Sequence, residues 1–176
     1  MAEQERLRGS RQEGWVEAII EIPRGSRNKY EYDHQRGIFH LDRVLYSSVH
    51  YPTDYGFLAG TLSGDGDPLD VLVVVDEPTF TGCHVRIRPI AALTMSDEKG
   101  VDEKILAVPL DDPRYNTIMD LPDLQEHWPR EIANFFRTYK DLQGVQTEVH
   151  DWFRADEAWR LIEECQRRFE SQPGDE

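Results

Sequence analysis

Apolar and polar residues along this chain change their period once. WVEAIIEI (15–22) is apolar and β-rich, and Pro23 stops it. KYEYD (29–33) alternates, with Lys29, Glu31 and Asp33 on one face and Tyr30 and Tyr32 on the other. GIFHLDRVL (37–45) reads as a strand after a turn at Gly37. VLVVV (71–75) is short and continuously apolar, as a strand covered on both faces would be. HVRIRPIAAL (84–93) alternates, and Pro89 marks an edge or a bulge. DEKILAVP (102–109) is a further short strand. Helical spacing then takes over. PREIANFFRTYKDL (129–142) repeats Ile132, Phe135, Phe136, Tyr139 and Leu142, with Pro129 in the first turn. ADEAWRLIEECQRRFE (155–170) puts Ala158, Leu161, Ile162, Cys165 and Phe169 on one stripe. Strands first and helices last predict an α+β, mainly β fold: a curled antiparallel sheet or small barrel with the helices outside.

The flanks lack such patterning. Residues 1–14 and 171–176 read as polar tails around a single domain at 15–170. No apolar run approaches the ~20 residues of a membrane span. The first residues carry Glu3, Glu5 and Glu13 and no apolar stretch, unlike a targeting segment. A cytoplasmic protein is expected. Cys83 and Cys165 are too few for a disulfide scaffold and read as reduced thiols. The formal net charge of −14 argues against nucleic acid and anionic membrane as partners, since both demand a basic face. Phosphate remains accessible to an acidic protein if metal ions stand between them.

One stretch changes the picture. SGDGDPLDVLVVV (63–75) packs Asp65, Asp67 and Asp70 into six residues before a buried strand. Gly and Pro make the turn, and a solvated turn alone accounts for some Asp enrichment. Three acids exceed that need. An EF-hand does not fit: counted from Asp65, its fifth position is Leu69, its sixth is Asp70, and a strand follows. A second acidic turn, SDEKGVDEK (96–104), presents Asp97 and Asp102 around Gly100, with Lys104 on the strand face of Asp102. If the two turns share a rim, five carboxylates converge and repel unless cations join them. Hard oxygen donors without thiolates or paired histidines suit Mg²⁺, Mn²⁺ or Ca²⁺ rather than Zn²⁺. Lys29, Arg43, Lys104 and Lys140 sit beside acids or tyrosines; Tyr51 and Tyr55 stand four residues apart around the Pro turn of YPTDYG, and Tyr139 adjoins Lys140. A pure metal-binding module has no use for such cations, whereas chemistry on phosphate does. Both readings, and a broader phosphatase of nucleotides or monoesters, remain open at this point.

These segments together resemble the soluble family I inorganic pyrophosphatases of the bacterial type. DGDPLDV (65–71) carries that family's signature. The likeness extends through EIP and KYE (21–31), LDR (41–43), YPTDYGF (51–57), DEKGVDEK (97–104) and YKDL (139–142), covering roughly residues 15–170. It implies a five-stranded, OB-like closed β-barrel with two principal C-terminal helices packed outside. It also implies hydrolysis of pyrophosphate to two phosphates with several Mg²⁺ ions. Mn²⁺ is expected as a substitute, and Ca²⁺, with its looser coordination, as an inhibitor. By resemblance, Asp65, Asp70, Asp97, Asp102 and Glu21 serve the metals. Asp67 is the general base on a metal-activated water. Lys29, Arg43, Tyr55, Lys104, Tyr139 and Lys140 hold phosphoryl oxygens. Glu31 supports the site and Tyr51 lines it. A homohexamer is the expected assembly, with the apolar 121–142 region as a candidate interface. His34 lies close to these motifs but is assigned nothing by the resemblance.

Overall fold

This computed structural model describes residues 9–172, and among these described residues there are nine strands and two α-helices. The strands are β1 (Gly9–Ser10), β2 (Trp15–Ile22), β3 (Asn28–Asp33), β4 (Ile38–Val44), β5 (Asp54–Leu58), β6 (Asp70–Val73), β7 (His84–Asp97), β8 (Gly100–Pro109) and β9 (Glu148–Arg154). The helices are α1 (His127–Thr138) and α2 (Ala155–Glu170). Hydrogen-bonded neighbours run β2, β5, β6, β8, β7 and back to β2. That ring closes a five-stranded barrel, as expected. β1 adds to β2 and β9 to β7, while β3 and β4 form a separate hairpin.

Closure depends on burial from both sides. One cluster draws Ala18, Leu58, Val71, Ile87 and Ile105 from all five barrel strands and is sealed by Ala158, Ile162 and Cys165 of α2. The other places Leu72, Leu93 and Leu106 beneath Phe135 and Phe136 of α1. Alternate residues of β6 and β8 therefore feed opposite clusters, which explains why VLVVV lacks polar positions. Two residues let β5 take its place. Gly56 lies so close to β2 that a Cβ there would stand 1.9 Å from the Ile19 carbonyl oxygen. Asp54, fully buried, accepts hydrogen bonds from the Arg24 N–H at 2.8 Å and the Thr79 hydroxyl at 2.6 Å.

The structure amends several expectations. The sheet is not wholly antiparallel: β6 and β8 pair in parallel, which a chain crossing over through β7 permits. Three strands, β1, β5 and β9, are not among the expected ones. Residues 9–14 are not a tail, because β1 pairs with Val16 and Trp15 and Arg11 reaches Asp156 at 2.7 Å. Residues 1–8 and 173–176 of the expected tails lie outside the described residues. The first helix ends at Thr138; Leu142 falls in a following 3₁₀ turn, Asp141–Gln143, and is exposed. Most of the apolar stripe of 121–142 is consumed by the protein's own core. Pro89 sits at a bulge in the β7–β8 pairing. No helix among the described residues is long and apolar enough to cross a membrane.

Candidate active site

The acidic turn is held by its own backbone. Ser63 N–H donates to the Asp67 carbonyl at 2.7 Å, and Asp67 N–H donates to Asp65 Oδ1 at 3.0 Å. Gly66 turns the chain at φ 91°, a left-handed value that glycine adopts freely. Leu69 is buried and its N–H donates to Thr61 Oγ1 at 2.9 Å, so the turn leaves from a fixed point. β6 begins at Asp70. The hairpin β3–β4 pairs Lys29 with Arg43, β2 brings Glu21, and the β7–β8 turn brings Asp97 and Asp102. Tyr139 and Lys140 follow α1.

These elements surround one cavity of about 330 Å³. It is lined by Glu21, Lys29, Glu31, Arg43, Tyr55, Asp65, Asp67, Asp70, Asp97, Asp102, Lys104, Tyr139 and Lys140. Only Tyr51 of the expected residues stands elsewhere. It is buried one layer behind, its ring 5.4 Å from Tyr55 and 4.8 Å from Phe135, so it supports the wall rather than lining it. His34 also lines the cavity, as do Ser63, Glu98, Lys99 and Gln143, which the motifs did not single out. Glu98 and Lys99 lie inside the quoted acidic turn. Gln143 gave no local signal, yet its Nε2 is buried without a hydrogen-bond partner, and so is Nε of Arg43.

The charges are locked in pairs. Lys104 Nζ donates to Tyr55 Oη at 2.8 Å, Asp70 Oδ2 at 2.7 Å and Asp102 Oδ2 at 2.8 Å. Tyr55 Oη also donates to Asp70 Oδ2 at 2.7 Å. Lys140 Nζ donates to Asp97 Oδ2 at 2.9 Å. Lys29 stands 3.3 Å from Asp42 and 3.6 Å from Glu31. Burial pulls the Lys104 ammonium down, but Asp70, Tyr55 and Asp102 outweigh it and hold the group well above the usual lysine range. Burial lifts Asp102 and Lys104 only partly offsets this. Asp67 is raised by burial and by the neighbouring charges of Asp65 and Asp70. Glu21 is pushed up to about 7, chiefly by burial, against the Tyr32 N–H that donates to its Oε1 at 2.9 Å. Asp97 falls below the usual range, because Lys140 and the Lys99 N–H overcome the cost of burial.

Eight carboxylates and five Lys or Arg side chains line this space. The donor set is all hard oxygen and fits Mg²⁺-like ions. No three His, Cys, Asp or Glu among the described residues close around one point as a finished ligand shell. The Lys104 ammonium lies between Asp70 and Asp102 instead, supplying part of the positive charge that the acids require.

The surrounding sequence matches known proteins over the same span. Residues 18–170 match the family model described as inorganic pyrophosphatase. The inorganic pyrophosphatase of Geobacillus stearothermophilus is 52% identical over 157 residues, covering 89% of this chain and 95% of that one. The one from Synechocystis is 51% identical over 156 residues, covering 89% and 92%. The crystal structure of inorganic pyrophosphatase from Thermus thermophilus superposes with a TM-score of 0.89 at 42% identity, covering 93% of this chain and 95% of that one. With the barrel, the acidic cavity and this likeness in agreement, the chain belongs to the family I inorganic pyrophosphatases.

Proposed function

We propose that the cavity binds pyrophosphate together with divalent metal ions, and that Asp67 takes a proton from the attacking water. The reaction, hydrolysis of the P–O–P anhydride to two orthophosphates, is that of the family, as is dependence on divalent metal. The observation that carries the reading is the meeting of eight carboxylates with five Lys or Arg side chains on one small cavity. Carboxylates alone would repel a substrate with nearly four negative charges, and cations alone would leave the acids without purpose.

Asp65, Asp70 and Asp102 would hold the tightest ion, with Asp97 and Glu21 serving ions that come with substrate. When bound, such ions lower the pKa of a coordinated water from ~15.7 towards neutrality and screen the phosphates. Mg²⁺ is the expected ion, Mn²⁺ a substitute and Ca²⁺ a poor one, since its longer bonds misplace the water. Lys29, Arg43, Lys104, Lys140, Tyr55 and Tyr139 donate to phosphoryl oxygens and stabilise charge on the leaving phosphate. The unpartnered Nε of Arg43 is one donor free for that task. Asp67, raised by burial and neighbouring acids, is a better proton acceptor than an ordinary carboxylate. Glu31 stands beside Lys29 and steadies it. By likeness to the family, the enzyme works in the cytoplasm as a homohexamer.

Counting bound Mn²⁺ by electron paramagnetic resonance tests the metal assignment. Wild-type protein should hold at least one tight ion, and Asp65→Asn, Asp70→Asn and Asp102→Asn should each weaken it about tenfold or more, at least as much as losing a group that merely orients a ligand. Unchanged binding in all three variants would remove these residues from the role.

A further inference from the structure

A second cavity, of about 470 Å³, shares a wall with the first: Tyr32, His34, Phe57 and Pro68 line both. Its size falls within the ~300–1,000 Å³ of small-molecule sites. Its remaining wall is mostly apolar, with Ile19, Phe39 and Leu58 facing in. Thr61 and His84 add polar groups to it, and its one acid is Glu17. It lines this chamber, yet only 5% of the residue is exposed. Its carboxylate is hydrogen-bonded to His84 Nδ1, from a side chain that is 56% exposed. A buried carboxylate needs a partner. This one is supplied from the solvent side, by a ring that can leave without disturbing the core.

We propose that this chamber is a regulatory site for a small organic cation with an apolar body, an aryl- or alkylammonium, whose ammonium replaces His84 at Glu17. The apolar wall takes the hydrocarbon and Glu17 the charge. The same carboxylate turns away phosphate and pyrophosphate, so the site is separate from that of the substrate.

The chamber is mechanically tied to the acids next door. β2 carries Glu17 and Ile19 into it and Glu21, two residues further, into the first cavity. Tyr32 N–H holds Glu21 Oε1 at 2.9 Å. Phe57 pairs with Asp70 across β5–β6, and Pro68 adjoins Asp67. An occupant pressing on Tyr32, Phe57 and Pro68 acts on the backbone that places Glu21, Asp70 and Asp67. If it favours one placement over another, turnover changes.

The test uses the metal-loaded enzyme with 2-phenylethylamine as probe and phenylacetate as its anionic counterpart. Thermal shift reads binding without reference to activity, so failure of the proposed reaction is not mistaken for failure of this site. The amine should raise the melting temperature with a Kd on the order of 1 mM, fitting for so small a ligand. It should lower kcat for pyrophosphate about fivefold, an ordinary allosteric coupling, with little change in KM. Phenylacetate should do neither. Glu17→Gln should weaken amine binding about tenfold, the scale of one charge-assisted contact, with basal activity intact. Ala59→Phe fills the chamber while keeping the Glu17 carboxylate in the chain, and should abolish binding even if Glu17→Gln does not fold. Absence of any shift, an effect confined to KM, equal binding of phenylacetate, or full binding in Ala59→Phe would each overturn the proposal.

Discussion

Lys104 Nζ lies 2.7 Å from Asp70 Oδ2, and the two residues stand directly opposite one another in the parallel β6–β8 pair. The strand register therefore sets an ammonium against the last acid of the acidic turn. The same ammonium reaches Asp102, so one buried lysine balances two carboxylates that would otherwise repel. Lys104→Met should destabilise the metal-free protein by about 3 kcal/mol, the lower end for breaking a buried pair. For a chain of this size that lowers the melting temperature by roughly 6–12 °C. Added Mg²⁺ should restore more stability to the variant than to the wild type, as thermal melts with and without the ion will show. An unchanged melting temperature would mean that the acids do not need this partner.

Asp67→Asn should keep the fold and the tight metal while losing about 10²-fold or more in kcat, the scale of a single proton acceptor. The turn survives because Asp67 is held through its backbone N–H and C=O, which asparagine retains. Steady-state kinetics beside Mn²⁺ counting checks both halves. Wild-type turnover would take the base role away from Asp67.

Glu21 ties stability to pH. Its carboxyl rises from an ordinary 4.5 to about 7 in the folded chain, mainly through burial. An acid raised by folding is retained at full stability below its unfolded value and loses that stability as pH climbs through the folded one. Metal-free protein should thus weaken between about pH 4.5 and pH 7, by roughly 3 kcal/mol for a shift of this size. Glu21→Gln keeps an acceptor for the Tyr32 N–H and should remove most of that slope. Equal pH dependence in both proteins, measured in chelator, would show that Glu21 ionises without cost.

Much of this was readable before the fold was known, for physical reasons that differ by segment. The stripe from Ala158 to Phe169 predicted α2 at Ala155–Glu170 because a long amphipathic helix repeats its signal many times. The acidic turn was readable because Asp, Gly and Pro act locally. β5 was not, since Asp54 is a fully buried carboxylate and Gly56 carries no side chain; its pattern makes sense only beside Arg24, Thr79 and β2. Leu142 misled, because helical spacing continued after the helix itself had ended at Thr138. The pairing of Lys104 with Asp70 joins residues 34 apart through a strand register that no local pattern encodes. Tyr51 shares a motif with Tyr55, yet its ring packs on Phe135 of α1 and so stays behind the wall.

Gly56 offers a test of the scaffold alone. An added Cβ would meet the Ile19 carbonyl oxygen at 1.9 Å, a backbone atom fixed in the barrel. Gly56→Ala should cost more than ~4 kcal/mol, beyond the usual range for a point substitution. Loss of soluble folded protein, or a melting temperature lowered by 10 °C or more on the scale set by a chain of this size, is the expected outcome. A variant as stable as the wild type would mean that β2 and β5 are not so tightly apposed.

The central claim is that the acids of this cavity work only through divalent cations, on a substrate with two phosphoryl groups. Phosphate release measured from excess chelator through saturating Mg²⁺, with pyrophosphate, ATP and a phosphomonoester side by side, addresses it most directly. Release from pyrophosphate should be negligible in chelator, rise with Mg²⁺, and far exceed release from the other two. Hydrolysis that persists without metal, or similar rates on all three compounds, would contradict the account.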